Sequence, residues 1–127
     1  MTPPSFLFAS LCVALGGGVG AWLRFSVGRL VGQTALPWAT LIVNVAGSFA
    51  MGMLVGWLAR TSGGESWRLL IGVGLLGGFT TFSAFSLELA GMIERGQPAF
   101  ALGYATVSVI AGVAGLFAGI MLMRAAT

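Results

Sequence analysis

Four apolar segments, each long enough to cross a lipid bilayer, make up most of this 127-residue chain. They run over residues of about 6–30, 38–58, 67–93 and 99–123, and short polar links join them. A membrane span needs about 20 predominantly apolar residues. Because unpaired backbone groups are costly in lipid, such segments cross it as helices. The sequence therefore predicts an all-α integral membrane protein, with four transmembrane helices in one domain, residues 1–127.

The composition narrows the classes of function. Only 7% of the residues are charged and 57% are hydrophobic, whereas a soluble domain carries roughly 25% charged residues. The few arginines are too dispersed for a nucleic-acid surface, so the expected surroundings are a lipid bilayer and no nucleic acid. The chain lacks His, Asp and Lys, and Cys12 is its only cysteine. It therefore offers no catalytic nucleophile–base pair and no cysteine metal cluster, and we expect no enzyme.

The arginines at the ends of the segments bear on orientation. An excess of positive residues on one side of the membrane fixes how a protein inserts. Here the two sides are nearly balanced, so both orientations are open. Four small helices also enclose a polar path poorly, and we predict an antiparallel homodimer. The arginines on one side are Arg60, Arg68 and Arg124, and those on the other are Arg29, Arg95 and, near the boundary, Arg24.

Glycines are spaced for close contacts between helices. Gly16 and Gly20 lie four residues apart in the first segment, and Gly52 and Gly56 do so in the second. Small residues at this spacing let membrane helices approach closely. The sequence predicts that both pairs lie at helix–helix contacts.

The third segment contains a break. Residues 77–86 read GGFTTFSAFS, and we expect the helix to be interrupted between Gly74 and Thr81. Unwound backbone is tolerated in a membrane only where other groups use the freed N–H and C=O groups. Carbonyls freed around Gly77 and Thr80 are candidate ligands for a cation such as Na⁺. The alternative is a packing kink at the glycine pair, filled by neighbouring hydroxyls.

Phenylalanines and hydroxyl residues alternate directly after the break. Phe82 and Phe85 are three residues apart, so they share a face on a helix. Aromatic rings have a positive edge, and Ser and Thr hydroxyls are hydrogen-bond donors. A path lined with ring edges and donors favours a small anion over a cation. The alternative is an aromatic pair that packs against lipid or the core.

Two further polar residues each have two interpretations. Asn44, inside the second segment, predicts either a helix–helix hydrogen bond or a lined pathway, because an unpaired polar group in a membrane helix is costly. Arg24, near the end of the first segment, is either an interfacial anchor or a residue at a water-filled entrance. The residues alone leave both choices open.

The chain resembles the small bacterial fluoride channels called Fluc or CrcB, over nearly its whole length. The matching stretches are GAWLR at 20–24, TLIVNVAGS at 40–48, ERG at 94–96, LGY at 102–104 and, above all, GGFTTFSAFSLE at 77–88. Such proteins are antiparallel homodimers of four-helix subunits. The resemblance therefore implies a multi-pass protein of the bacterial plasma membrane that exports fluoride passively.

The resemblance also implies roles for single residues. Ring edges of Phe82 and Phe85 would face fluoride, and Asn44 would line the pore. A structural Na⁺ at the dimer centre would be held by main-chain carbonyls of Gly77 and Thr80. The other implied residues are a polar track of Ser83, Ser86, Glu88, Tyr104 and Ser108, and Arg24 near the pore entrance.

Two other functions fit four short membrane helices. A proton-coupled small multidrug transporter has a similar length and dual topology, and it needs a membrane-embedded carboxylate for proton exchange. Here the first segment has no acidic residue, and Glu88 lies in the wrong helix for that family. A non-transporting membrane scaffold predicts no ion flux and tolerance of substitutions at Phe82 and Phe85.

Overall fold

The computed structural model describes residues 3–62 and 64–126, and its regular structure there is helical. Four spans have the length and the hydropathy needed to cross a membrane. The prediction of an all-α protein with four such helices is confirmed, and the predicted segments end within two residues of the observed ones. The helices are α1 (Phe6–Val31), α2 (Trp38–Leu58), α3 (65–79), α4 (Ser83–Glu94) and α5 (Pro98–Ala125), with α3 and α4 forming the third span.

Local capping residues keep the links between spans short. The Ser5 hydroxyl accepts a hydrogen bond from the Phe8 N–H at 3.3 Å and so caps the start of α1. Gly32 and Gly96 follow α1 and α4 with φ of 73° and 75°, a conformation that favours glycine. Pro98 opens α5, where its missing N–H leaves no helical bond unmade.

Helix α3 differs from the others because residues Arg68–Leu76 form a π-helix. The chain returns to α-helix over Gly77–Phe79 and leaves it at Thr80, whose backbone is extended (φ −82°, ψ 161°). The predicted interruption between Gly74 and Thr81 is therefore too wide, since within the third span (Glu65–Glu94) the residues outside the helices are 80–82. Of the glycines before them, Gly74 and Gly78 lie in helix and pack closely on α1.

Helix α1 packs along α3 with the two backbones almost in contact. A Cβ atom on Gly16 would overlap the Leu70 carbonyl, and one on Gly20 would overlap the Leu75 carbonyl. From the other side, a Cβ on Gly78 would overlap the Gly17 carbonyl. This approach is possible only between small residues, as in other membrane helix pairs.

Helices α2 and α5 form the second close pair. A Cβ on Gly52 would overlap the Leu116 carbonyl, and one on Gly56 would lie 2.8 Å from Met123 Cβ. Both glycines are buried. The predicted small-residue contacts are confirmed in both helix pairs: the glycine pair of α1 packs against α3, and that of α2 packs against α5.

Helix α4 lies against α5 through a small buried cluster of Phe85, Met92, Ala101 and Tyr104. Most other large apolar side chains point outward along all four spans, as expected for surfaces in lipid. The core is therefore thin, and the polar residues around the break lie close to it.

Candidate functional site

A single amide side chain closes the break at residues 80–82. Asn44 Nδ2 donates to the Thr81 carbonyl at 2.9 Å, and the Thr81 N–H donates to Asn44 Oδ1 at 2.8 Å. Both polar groups of an unwound residue are thus satisfied within the membrane span, as the low dielectric requires. Asn44 thus bonds from α2 to the unwound segment and not to another helix, and its predicted place along a lined pathway stays a prediction.

The end of α3 has carbonyls that lack their usual helical partners. In a continuous α-helix the Thr81 N–H would bond to the Gly77 carbonyl, but here it bonds to Asn44. The next carbonyl, of Gly78, accepts a hydrogen bond from Arg24 Nε at 3.0 Å. The described residues contain no group of three His, Cys, Asp or Glu that could hold a metal ion. The cation ligands that this region offers are therefore neutral oxygens, among them the main-chain carbonyl of Gly77.

Arg24 reaches from α1 across to the break. Besides its bond to Gly78, it lines a cavity of about 310 Å³ together with Arg29, Thr40 and Thr81. The side chain is partly buried, so its guanidinium does not simply extend to the membrane surface. Arg24 therefore places positive charge beside the unwound residues.

Hydroxyl groups of Thr80 and Thr81 support the two ends of the break. The Thr80 hydroxyl donates to the Leu76 carbonyl at 2.9 Å, at the end of α3. The Thr81 hydroxyl, one residue before the N-cap position, accepts from the Ala84 N–H in the first turn of α4 at 3.2 Å. It also lies 3.4 Å from the Ser83 hydroxyl. Each threonine thus stabilises a different helix end.

The two predicted phenylalanines have different environments. Phe82 is 79% exposed, whereas Phe85 is 8% exposed. Their ring centroids are 5.8 Å apart with planes tilted by 49°, and Phe85 lies 5.4 Å from the Tyr104 ring. The rings form a row that leads from the exposed break into the α4–α5 contact.

Glu88 is the acidic residue closest to this row in the chain, and both of its oxygens accept hydroxyl donors. The Thr40 hydroxyl donates to Oε1, and the Tyr104 hydroxyl donates to Oε2 at 2.9 Å. Thr40 and Tyr104 are both buried. The carboxylate thus joins α2, α4 and α5, and its lone pairs are partly used by neutral donors.

The three predicted serines are not brought together. Ser83 and Ser86 are exposed, and the Ser86 hydroxyl donates to the Phe82 carbonyl of its own helix at 2.9 Å. Ser108 Oγ is buried and has no hydrogen-bond partner among the described residues. Ser108 lies one turn beyond Tyr104 on α5, at the far end of the row.

Two contributing residues were missed by the sequence prediction. The Thr40 hydroxyl donates to Glu88. The Thr81 carbonyl accepts from the Asn44 amide, and the Thr81 hydroxyl accepts from the Ala84 N–H at the start of α4. A signal for Thr40 exists, because it precedes Asn44 by four residues and so shares its helix face. For Thr81 the signal was its position directly after the expected cation ligands.

The fold and the site together define a class of protein. It is a multi-pass helical membrane protein in which amide, hydroxyl and aromatic groups gather at an interrupted span. The model of the family described as CrcB-like protein, Camphor Resistance (CrcB), matches residues 11–120. The chain belongs to this family, and the resemblance drawn from its motifs is confirmed.

Curated relatives match the chain over nearly its full length. A protein of Novosphingobium aromaticivorans, named fluoride-specific ion channel FluC, is 57% identical over 121 residues, 91% of this chain and 96% of that protein. The protein of the same name from Erythrobacter litoralis is 52% identical over 131 residues, 96% of this chain and 95% of that protein. These relatives are channels, so the predictions of a multi-pass bacterial membrane protein and of a non-enzyme are confirmed.

Proposed function

We propose that this chain forms a fluoride-selective channel that lets F⁻ leave the cytoplasm passively. The observation that carries the proposal is the row of Phe82, Phe85 and Tyr104 rings, which starts at a break held by Asn44 and ends at hydroxyl groups. The relatives share the name fluoride-specific ion channel FluC, which specifies fluoride as well. The multidrug-transporter alternative is not favoured, because the family match and the curated relatives indicate a fluoride channel.

The chemistry of the row suits a small, strongly hydrated anion. Removing water from fluoride is costly, so a pore must replace it with donors in small steps. Ring edges and hydroxyls supply partial positive charge without a fixed cation that would hold the ion too long. The candidate hydroxyls include that of Ser83 and, once it rotates away from the Phe82 carbonyl, that of Ser86. Ser108, whose buried hydroxyl has no partner within the described ranges, is the last candidate donor along the path.

The working unit in this proposal is an antiparallel homodimer. One subunit leaves the Phe82 ring 79% exposed beside two exposed serines, so a single copy encloses only part of a path. The near balance of arginines between the two membrane sides allows both orientations to insert. A second copy in the opposite orientation would cover the exposed rings and provide two equivalent pores.

A structural Na⁺ at the dimer centre is part of the proposal. The residues fit such an ion, because the Gly77 carbonyl lacks its helical donor and the Thr80 carbonyl belongs to the unwound segment. Oxygen atoms are the ligands that hard cations prefer. If the dimer axis passes through the break, each subunit would contribute an equal set of carbonyls, and the ion would fix the subunits relative to each other.

The direction of transport follows from the ion and the membrane potential. Fluoride crosses membranes as neutral HF from an acidic exterior and ionises in the cytoplasm. An interior-negative potential then drives the anion outward through an open pathway, at about 2.3 kcal/mol per 100 mV. Arg24, beside the break and in the 310 Å³ cavity, is proposed to hold the anion at the pore entrance.

Ion flux from proteoliposomes tests the proposed function. The purified protein is reconstituted, the vesicles are loaded with fluoride or with chloride, and efflux is followed with ion-selective electrodes. We expect fast fluoride release and negligible chloride release. A folded dimer without fluoride flux would refute the channel, and the membrane scaffold would then be the better explanation.

The aromatic row is tested by Phe82→Ile. We expect the flux to fall about five- to tenfold, since a ring contact is worth about 1 kcal/mol, with the dimer intact by size-exclusion chromatography. Phe117→Ile is the matched control, because Phe117 is also exposed but lies on α5 away from the break. Equal flux in the two variants would remove the Phe82 ring from the mechanism.

The central cation is tested by replacing Na⁺ on both sides of the membrane with a large organic cation. Main-chain ligands at Gly77 and Thr80 cannot be removed by substitution, so the ion itself must be removed. We expect flux to fall when Na⁺ is withdrawn and to return when it is restored. Unchanged flux after thorough Na⁺ removal would favour a simple packing kink.

A further inference from the structure

A second cavity, of about 200 Å³, lies apart from the break between the α1–α2 link and the C-terminal half of α4. The link contributes Thr34 and Pro37 to its lining, and α4 contributes Glu88, Gly91 and Arg95. Because Glu88 also accepts the Thr40 and Tyr104 hydroxyls, this cavity opens directly onto the polar end of the aromatic row.

Arg95 is oriented toward this cavity by a glycine. An arginine at a helix C-terminus ordinarily extends outward to the membrane surface. Here the guanidinium lies back along α4, since a Cβ atom on Gly91 would be 3.2 Å from Arg95 Nη1. Gly91 lies one turn before Arg95, and Glu88 lies three residues before Gly91, so the three share one helix face. The absence of a side chain at Gly91 gives the guanidinium its room.

Arg95 forms no direct ion pair with a carboxylate in the described part of the chain. The ion pair found over residues 3–62 and 64–126 joins Glu65 to Arg68, at the start of α3. The oxygens of Glu88 are bonded to neutral hydroxyls. Glu88 and Arg95 line the same cavity, so without Arg95 the local charge there would be negative and would lower the concentration of anions and their rate of association.

We infer that this cavity is a mouth of the anion path and that Arg95 steers small anions into it toward the hydroxyls around Glu88. Its charge offsets the repulsion that the Glu88 carboxylate exerts on an arriving anion. The inference rests on the proposed channel function. In an antiparallel dimer each membrane side carries one such mouth, so the effect applies to flux in both directions.

Charge substitutions at Arg95 test this inference in proteoliposomes at low, subsaturating fluoride. At about 10 mM ionic strength the screening length is about 30 Å, and Arg95→Gln should lower the initial fluoride flux about fivefold. Arg95→Lys, which keeps the charge, should lie within about twofold of the wild type. Arg124→Gln is the charge-matched control at the end of α5, and its flux should equal that of the wild type.

Screening provides a second, independent measurement. Ionic strength is raised to about 150 mM with an impermeant salt of a large organic cation, at constant Na⁺, which shortens the screening length to about 8 Å. The wild-type flux should fall, and the difference between the wild type and Arg95→Gln should shrink to less than about twofold. This measurement tests electrostatic steering even if Arg95→Gln does not fold, because a wild-type flux that is independent of ionic strength overturns the inference.

The outcomes separate the inference from the proposed function. If the wild type carries no fluoride, the channel itself is refuted. If the wild type carries fluoride and Arg95→Gln carries it equally well at low ionic strength, only the steering role is refuted. A loss in Arg95→Lys as large as that in Arg95→Gln also overturns it, since the positive charge would then not be the cause.

Discussion

The two halves of the third span are held in the molecule by different means. Helix α3 contacts α1 backbone to backbone, and Gly16 and Gly20 leave no room for a side chain. Helix α4 is held by its own side chains, with Phe85 packed on Tyr104 and Glu88 bonded to hydroxyls from two other helices. The short unwound segment at residues 80–82 joins these two kinds of attachment.

Because the two helices are held differently, substitutions in them should have different effects. In α3 a substitution is a steric problem, because the neighbouring backbone cannot move without moving the whole helix. In α4 a substitution changes which polar or aromatic group faces the proposed path. Variants in the α1–α3 contact should therefore lose the fold, variants at the break should lose part of both fold and flux, and exposed variants of α4 should lose flux alone.

The largest effect is expected from Gly20→Ala. The added Cβ would overlap the Leu75 carbonyl and lie 2.8 Å from the Phe79 nitrogen, and overpacking of this kind costs about 3 kcal/mol. We expect little monodisperse protein after extraction in mild detergent, measured by fluorescence-detected size-exclusion chromatography. Gly18→Ala is the control, since nothing lies within 4 Å of its added Cβ. If both variants lose protein equally, the close backbone contact is not the reason.

A smaller but still large effect is expected from Asn44→Ala. The change leaves the N–H and C=O groups of Thr81 without their partner, and each unpaired buried group costs about 1–3 kcal/mol. We expect a lower thermal midpoint. We also expect the fluoride flux to fall more than tenfold, because a loss of about 1.4 kcal/mol from the conducting conformation lowers its population about tenfold.

The control for Asn44→Ala is Thr106→Ala, which also removes a polar side chain from a membrane helix. The Thr106 hydroxyl donates to the Leu102 carbonyl of its own helix and is exposed, so its loss should change neither stability nor flux by a measurable amount. A wild-type thermal midpoint in Asn44→Ala would show that water or another group can close the break.

Much of this architecture was predictable from the sequence because the bilayer leaves few choices. Length and hydropathy fix the spans, since unpaired backbone is too costly for other structures in lipid. The glycine pairs at Gly16 and Gly20 and at Gly52 and Gly56 predicted the close contacts, because spacing along a helix determines which residues share a face. The family followed from the twelve residues 77–88.

The parts that could not be predicted depend on distances between helices. Spacing placed Phe82 and Phe85 on one face, but it could not indicate that one ring is exposed and the other buried against Tyr104. The stretch from Gly74 was expected to be unwound, whereas Gly74 and Gly78 lie in helix and let α1 approach. The partner of Arg24, a carbonyl 54 positions further along the chain, depends on that same approach.

The smallest effect, and the one that best separates chemistry from structure, is expected from Ser86→Ala. The Ser86 hydroxyl donates to the Phe82 carbonyl at 2.9 Å, and the Ser26 hydroxyl donates to the Trp22 carbonyl at the same distance. The two serines have the same local role, but only Ser86 lies beside the aromatic row. We expect Ser86→Ala to lower the fluoride flux about threefold, equivalent to one weak hydrogen bond of about 0.6 kcal/mol. Ser26→Ala should leave flux unchanged, and both should keep the wild-type thermal midpoint. Equal flux in the two variants would mean that the Ser86 hydroxyl serves only its own helix, and the donor path would then begin at the rings.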